Sequence, residues 1–162
     1  MTLNERDSQY LWHPYTQHKT AALPIAIKKG EGALLWDENN KEYIDAIASW
    51  WVNPYGHSNT FIADAIYKQL TTLEHVLFGG FTHEPAIILA EKLMEILPKN
   101  QQKIFFSDNG STAVEVAIKV ALQYFFNKGE KKTTIIAFEN AFHGDTFAAM
   151  AASGISFYTQ AF

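Results

Sequence analysis

The sequence contains no cysteine, one arginine among its 13 basic residues, and no apolar run long enough to span a membrane. Without cysteine there is no disulfide framework, no thiolate metal site and no thiol nucleophile. With Arg6 as the lone guanidinium and a formal net charge of −4, the chain carries no basic face, so nucleic acid is not an expected partner. The first residues lack the basic-then-apolar order of a signal peptide, and the reading is a cytoplasmic protein with no membrane association. No repeat of 20 to 50 residues and no low-complexity tract breaks the pattern.

What is present suits a folded chain: 162 residues, 48% hydrophobic and 19% charged, a length that can bury a core. The first 20 or so residues, with Trp12-His13-Pro14-Tyr15, read as an ordered arm rather than a regular element. From Pro24 to Asp45, a strand at Ile25–Lys28, a turn at Gly30–Gly32, a strand at Ala33–Trp36, a polar turn and a strand at Glu42–Asp45 make an antiparallel meander. Ala46 to Asn59 reads as a loop dense in aromatic residues. Ile62, Ile66, Leu70 and Leu73 mark one helical face, and Leu89, Leu93, Ile96 and Leu97 are the expected inner face of a second helix over Pro85–Leu97. The expected division is an arm and small antiparallel subdomain over residues 1–58, then the start of a larger domain over 59–162. The apolar and aromatic ending, Ala151 to Phe162, reads as a chain interrupted inside that domain.

Ser107-Asp108-Asn109-Gly110-Ser111-Thr112 joins a short apolar run, Lys103–Phe106, to a helix whose apolar positions are Ala113, Val114, Ala117, Ile118 and Ala121. A turn at Asn109-Gly110 and a helix beginning at Ser111 or Thr112 would expose unpaired N–H groups and the positive end of the helix dipole, a site for phosphate. The alternative is that Thr112 and Glu115 form a capping box and bind nothing. Thr133–Phe138 reads as a second strand, which makes a βαβ unit with parallel pairing. Asn140 to Thr146 then lies at the same sheet edge as the Gly110 loop, and the two loops face one crevice. Phe142 in that crevice can cover a flat ring, with His143 beside it.

The run Ser107 to Tyr124, taken with Asn140-Ala141-Phe142-His143-Gly144-Asp145-Thr146, Trp12-His13-Pro14-Tyr15, Ser49-Trp50-Trp51 and His75 to His83, resembles the class III aminotransferases of fold type I. The resemblance extends from about Tyr10 to Met150. It implies an α/β fold, with a small antiparallel subdomain and the start of a large, mainly parallel α/β/α domain. It also implies pyridoxal 5′-phosphate as cofactor, held by Gly110, Ser111 and Thr112 at its phosphate and by Phe142 and His143 at its ring. Trp50 and Trp51 would wall the pocket for a keto acid's alkyl chain, and Tyr15 would offer a recognition hydroxyl. Leu77, Phe78, Gly79 and Gly80 would border the partner's active site in a homodimer. The substrates implied are 8-amino-7-oxononanoate and, as amino donor, S-adenosylmethionine, in biotin biosynthesis.

Where the family usually has Asn-Gly-Tyr-His-Gly, this chain has Asn140 to Gly144 with Phe142 in place of the tyrosine, which removes one hydroxyl from the substrate side. The chemistry needs a lysine ε-amine and a carboxylate for the ring nitrogen. Lys119 lies eight residues along the helix from Ser111, roughly 12 Å away, and Lys103 starts the preceding run. Neither is suitably placed, so the expectation is a catalytic lysine beyond residue 162 and an inactive 162-residue piece. The competing readings are a class III enzyme with lysine or another amine as donor, a non-catalytic α/β module, and a metal site using His13, His57, His75, His83 and His143. The last lacks ligand spacing, and no metal is expected.

Overall fold

A computed structural model describes residues 1–154. Two compact units divide between Thr82 and His83. The first opens with helix α1, Leu3–Tyr10, where an irregular arm was expected. The signal lies in Thr2 and Glu5, a reciprocal capping box in which the Thr2 hydroxyl accepts the Glu5 N–H and the Glu5 carboxylate accepts the Thr2 N–H. The Trp12 to Tyr15 segment that follows is irregular, as expected, and is tied back by His13 Nε2, 2.9 Å from both oxygens of Asp7.

The meander is present as β1 (Ile27–Glu31), β2 (Leu34–Asp37) and β3 (Glu42–Ile44), antiparallel in the order β1-β2-β3. Its turn between β2 and β3 is organised by Asp37, whose carboxylate accepts the N–H groups of Asn39 and Lys41, each at 2.9 Å, and the Tyr43 hydroxyl at 3.0 Å. Those donors hold its carboxyl below the ordinary carboxylate range, the Lys41 N–H foremost. An antiparallel bridge between Gly32 and His57 joins the loop after β3 back to the sheet. Helix α2 (Ala48–Trp51) interrupts the expected loop with one turn, and α3 (Thr60–Thr72), capped by Asn59, carries Ile62, Ile66 and Leu70.

The second unit contains α4 (Glu84–Ile96), α5 (Gly110–Asn127) and α6 (Phe147–Ala152). The strands expected at 103–106 and 133–138 are not formed among the described residues, and no parallel pairing occurs there. A strand exists only where a neighbour completes its ladder. These two runs carry no regular element, and Ile136 is 94% exposed. The same lack of cover corrects the expected core. Ala149 is the one buried hydrophobic residue among those described, and Leu89, Ile96 and Leu97 of the α4 segment are exposed rather than inside. Amphipathic helices form here from local pattern and capping, while their apolar faces find no covering layer among the described residues.

Candidate cofactor and substrate sites

Helix α5 begins one residue earlier than expected. Asn109, in extended conformation, is its N-cap, and its side-chain oxygen accepts the Thr112 N–H at 3.0 Å. Thr112 answers as the other half of the box, its hydroxyl accepting the Asn109 N–H at 3.3 Å and donating to the Asp108 carboxylate at 2.7 Å. Asp108 is held below the ordinary carboxylate range, chiefly by that hydroxyl. The box is therefore Asn109 with Thr112, not Thr112 with Glu115. The Ala113 N–H bonds Asn109 O, so the N–H groups at the mouth of the helix with no recorded partner among the described residues are those of Gly110 and Ser111. A Cβ at Gly110 would meet no atom within 4 Å, which leaves open space beside them.

Glu115 caps a different helix. Its carboxylate accepts the Thr146 hydroxyl at 2.7 Å and the Ala148 N–H at 3.2 Å, at the N-terminus of α6. A negative charge at that end is favourable for the helix dipole. The Ser111 hydroxyl accepts the Asp145 N–H at 3.0 Å, and the Thr146 hydroxyl lies 3.3 Å from Ser111 O. Behind this loop, the His143 N–H donates to Ser153 Oγ at 3.0 Å, and the Gly154 N–H to Ala141 O at 2.9 Å. The two loops thus meet through side chains of α5 rather than through adjacent parallel strands.

Together they enclose a cleft of about 740 Å³, lined by Asn109, Gly110, Ser111, Val114 and the segment from Phe142 to Thr146. Gly110, Ser111, Phe142 and His143 line it, whereas Thr112 does not, its hydroxyl being committed to the cap. Phe142 is 62% exposed, with its ring free to cover a ligand. No lysine lines the cleft; Lys119 lines a separate groove with Val116, Val120 and Phe126.

In the first unit, Tyr15 and Trp50 are stacked with ring centroids 6.1 Å apart and planes 4° from parallel, and Trp51 meets Trp50 edge-on at 5.8 Å. Tyr15, 35 residues before the adjacent pair Trp50 and Trp51, joins them in one aromatic wall. Its base is α2, whose residues Ala48, Ser49, Trp50 and Trp51 have φ of 48°, 47°, 64° and 65°. Left-handed backbone costs about 1–2 kcal/mol per non-glycine residue, so other contacts must hold it. Asp45 supplies them. Its carboxylate accepts the Ser49 N–H at 2.9 Å, the Ser49 hydroxyl at 2.7 Å and His57 Nε2 at 2.7 Å. The Ser49 N–H, then the Ser49 hydroxyl, then His57 lower the Asp45 pKa to about 2. Ionised, the carboxylate can only accept, so Nε2 is the protonated nitrogen of His57.

Leu77 to Gly80 forms an exposed turn, with the Gly80 N–H bonded to Phe78 O at 2.9 Å and Gly80 at φ 104°, a conformation open to glycine. No helix among the described residues is long and apolar enough to cross a membrane.

The model of the class III aminotransferase family matches residues 15–162. The chain belongs to the class III aminotransferases. A relative from Synechococcus elongatus, named adenosylmethionine-8-amino-7-oxononanoate aminotransferase, is 50% identical over 94% of this chain and 36% of its own length. One of the same name from Staphylococcus aureus is 43% identical over 99% of this chain and 37% of its own. The crystal structure of the Methanocaldococcus jannaschii aminotransferase of that name superposes with a TM-score of 0.92 at 40% identity, covering 98% of this chain and 37% of that one. An omega transaminase from Pseudomonas jessenii, solved in complex with PMP, also gives 0.92, at 34% identity, with 100% and 37% covered. The chain spans a little over a third of the length of the relatives it matches.

Proposed function

We propose that the full-length protein carrying this chain transfers an amino group from S-adenosylmethionine to 8-amino-7-oxononanoate, giving 7,8-diaminononanoate for biotin synthesis, with pyridoxal 5′-phosphate as cofactor. The observation that carries this reading is the 50% identity, over nearly the whole chain, to an aminotransferase named for that donor and acceptor. The cleft of the second unit fits the cofactor's chemistry: two N–H groups at a helix N-terminus suit a phosphate, and an exposed aromatic ring suits a planar heterocycle.

When bound, the cofactor supplies the electron sink that lets an amino group move between carbons. This chain's residues bind and orient it. Gly110 and Ser111 would hold the phosphate through their N–H groups, and Phe142 and His143, which line the same cleft, would hold the ring. Ser111 also holds the second loop through the Asp145 N–H, so one side chain ties phosphate and ring binding together. Trp50, Trp51 and Tyr15 provide an apolar wall for the acceptor's alkyl chain, where rigid rings bury area with little rotamer entropy to lose. The reaction further needs a lysine to move the proton and a carboxylate for the ring nitrogen. A homodimer, with Leu77 to Gly80 against the partner's site, and a cytoplasmic location complete the reading.

Phe142 favours one second reading, a class III enzyme with lysine or another amine as donor, because the hydroxyl usual at this position is absent. Mass-spectrometric detection of diaminononanoate with each donor and the full-length protein decides between them. Product with S-adenosylmethionine is expected; product with lysine alone moves the assignment to the second reading, and turnover of pyruvate-type acceptors alone removes the biotin assignment.

A further inference from the structure

We infer that Asp45 is a positioning residue for the acceptor, holding the Ser49-Trp50-Trp51 turn in the left-handed conformation that presents the two tryptophans. The inference rests on the reading of Trp50 as a wall of the acceptor pocket. Asp45 grips the residue before Trp50 by backbone and hydroxyl together, at 2.9 and 2.7 Å. Four consecutive non-glycine residues at positive φ have no intrinsic reason to stay there; the carboxylate's two bonds to Ser49 oppose their relaxation, alongside the backbone bonds from Trp51 N–H to Ile47 O at 2.8 Å and from Asn53 N–H to Ala48 O at 3.0 Å.

The anchor is itself anchored. The Asp45 side chain is 7% exposed and the His57 side chain 16%. His57 exchanges two backbone bonds with Gly32, at 2.8 and 3.1 Å, and the Asp45 N–H bonds Ala33 O at 2.9 Å. A Cβ at Gly30 would stand 2.8 Å from the His57 Cβ, so glycine there lets the ring approach β1. The meander is thus the rigid base, Asp45 the strut and the tryptophan turn the part it sets. This assigns specificity for a long apolar acceptor partly to a carboxylate that the acceptor never meets.

The test uses the full-length enzyme and the variants Asp45→Asn, Trp50→Ala and their combination. Asp45→Asn keeps the volume but loses the charge and one acceptor oxygen. Its expected effects are a rise of about tenfold in KM for the keto acid, an unchanged cofactor absorption spectrum, and loss of the near-ultraviolet circular dichroism that Trp50→Ala also removes. Because Asp45 acts through Trp50, the double variant is no worse than Trp50→Ala alone. Additive losses in the double variant, or a normal KM in Asp45→Asn, overturn the inference while leaving the wall intact. A normal KM in Trp50→Ala overturns the wall, and with it the inference. If Asp45→Asn does not fold, Ser49→Ala removes only the hydroxyl bond and carries the same comparison with Trp50→Ala.

Discussion

Gly144 packs against Ser111 so closely that a Cβ on Gly144 would lie 2.7 Å from the Ser111 Cα, backbone that cannot swing aside. Gly144 also sits at φ 127°, outside the range of other L residues. The contact holds the Phe142–Thr146 loop against the mouth of α5, and any side chain wedges the two apart.

Gly144→Ala is therefore expected to cost the full-length protein roughly 1–3 kcal/mol of stability and to weaken cofactor binding by about tenfold or more, since 1.4 kcal/mol is a factor of ten. Thermal melting and absorbance titration with pyridoxal phosphate measure the two effects. An alanine variant with wild-type affinity would show that the loops need not touch to bind.

Asn109 and Thr112 separate capping from ligand binding. Asn109→Ala removes the acceptor for the Thr112 N–H and should cost about 0.5–2 kcal/mol. Thr112→Val, which keeps the shape, is expected to lower stability with cofactor affinity changed less than by Ser111→Ala, because the Thr112 hydroxyl is turned to Asp108 and Asn109. Parallel titrations of the three variants rank them; a larger affinity loss for Thr112→Val would make this hydroxyl a cofactor ligand.

Glu115 is expected to matter at the far end of its bond. Glu115→Ala removes the acceptor of the Ala148 N–H and the nearer of the two acceptors of the Thr146 hydroxyl, and should destabilise by about 1–3 kcal/mol. Hydrogen exchange checks the location: amides of α6, not those of the first turn of α5, should lose protection. Loss confined to α5 would restore the capping role the sequence suggested.

These cases divide by how far each contact reaches along the chain. The turn into α5 was legible because Asn109, Gly110, Ser111 and Thr112 act within one turn, where residue type nearly dictates geometry. Even so, the helix start moved to Gly110, since Asn109 is the better cap. Glu115 was misread because a carboxylate three residues after a hydroxyl has the spacing of a local cap, and only packing against Thr146 shows its partner. The left-handed turn at Ala48–Trp51 was invisible: no glycine marks it, and its cause is Asp45, held by His57 from twelve residues further along. Lys103–Phe106 and Thr133–Phe138 have strand composition, yet composition does not supply a ladder partner.

The Asp45 strut also predicts a pH dependence. In the folded chain its pKa is about 2, against 3.8 for the unperturbed group, because the Ser49 N–H, the Ser49 hydroxyl and His57 all stabilise the ionised form. A folded-state pKa below the unfolded one contributes stability that is complete above about 3.8 and is lost as pH falls through about 2. Asp37 and Asp108 are also held below the ordinary carboxylate range by their hydrogen-bond donors, so a single acid-unfolding curve cannot isolate Asp45. The difference between wild type and Asp45→Asn can. Unfolding free energies from urea melts of the full-length protein, taken at intervals between pH 5 and pH 2, should converge as pH falls, because protonation removes from the wild type the charge that the variant already lacks. Curves that stay parallel across this range would mean that the ionised carboxylate does not stabilise the turn.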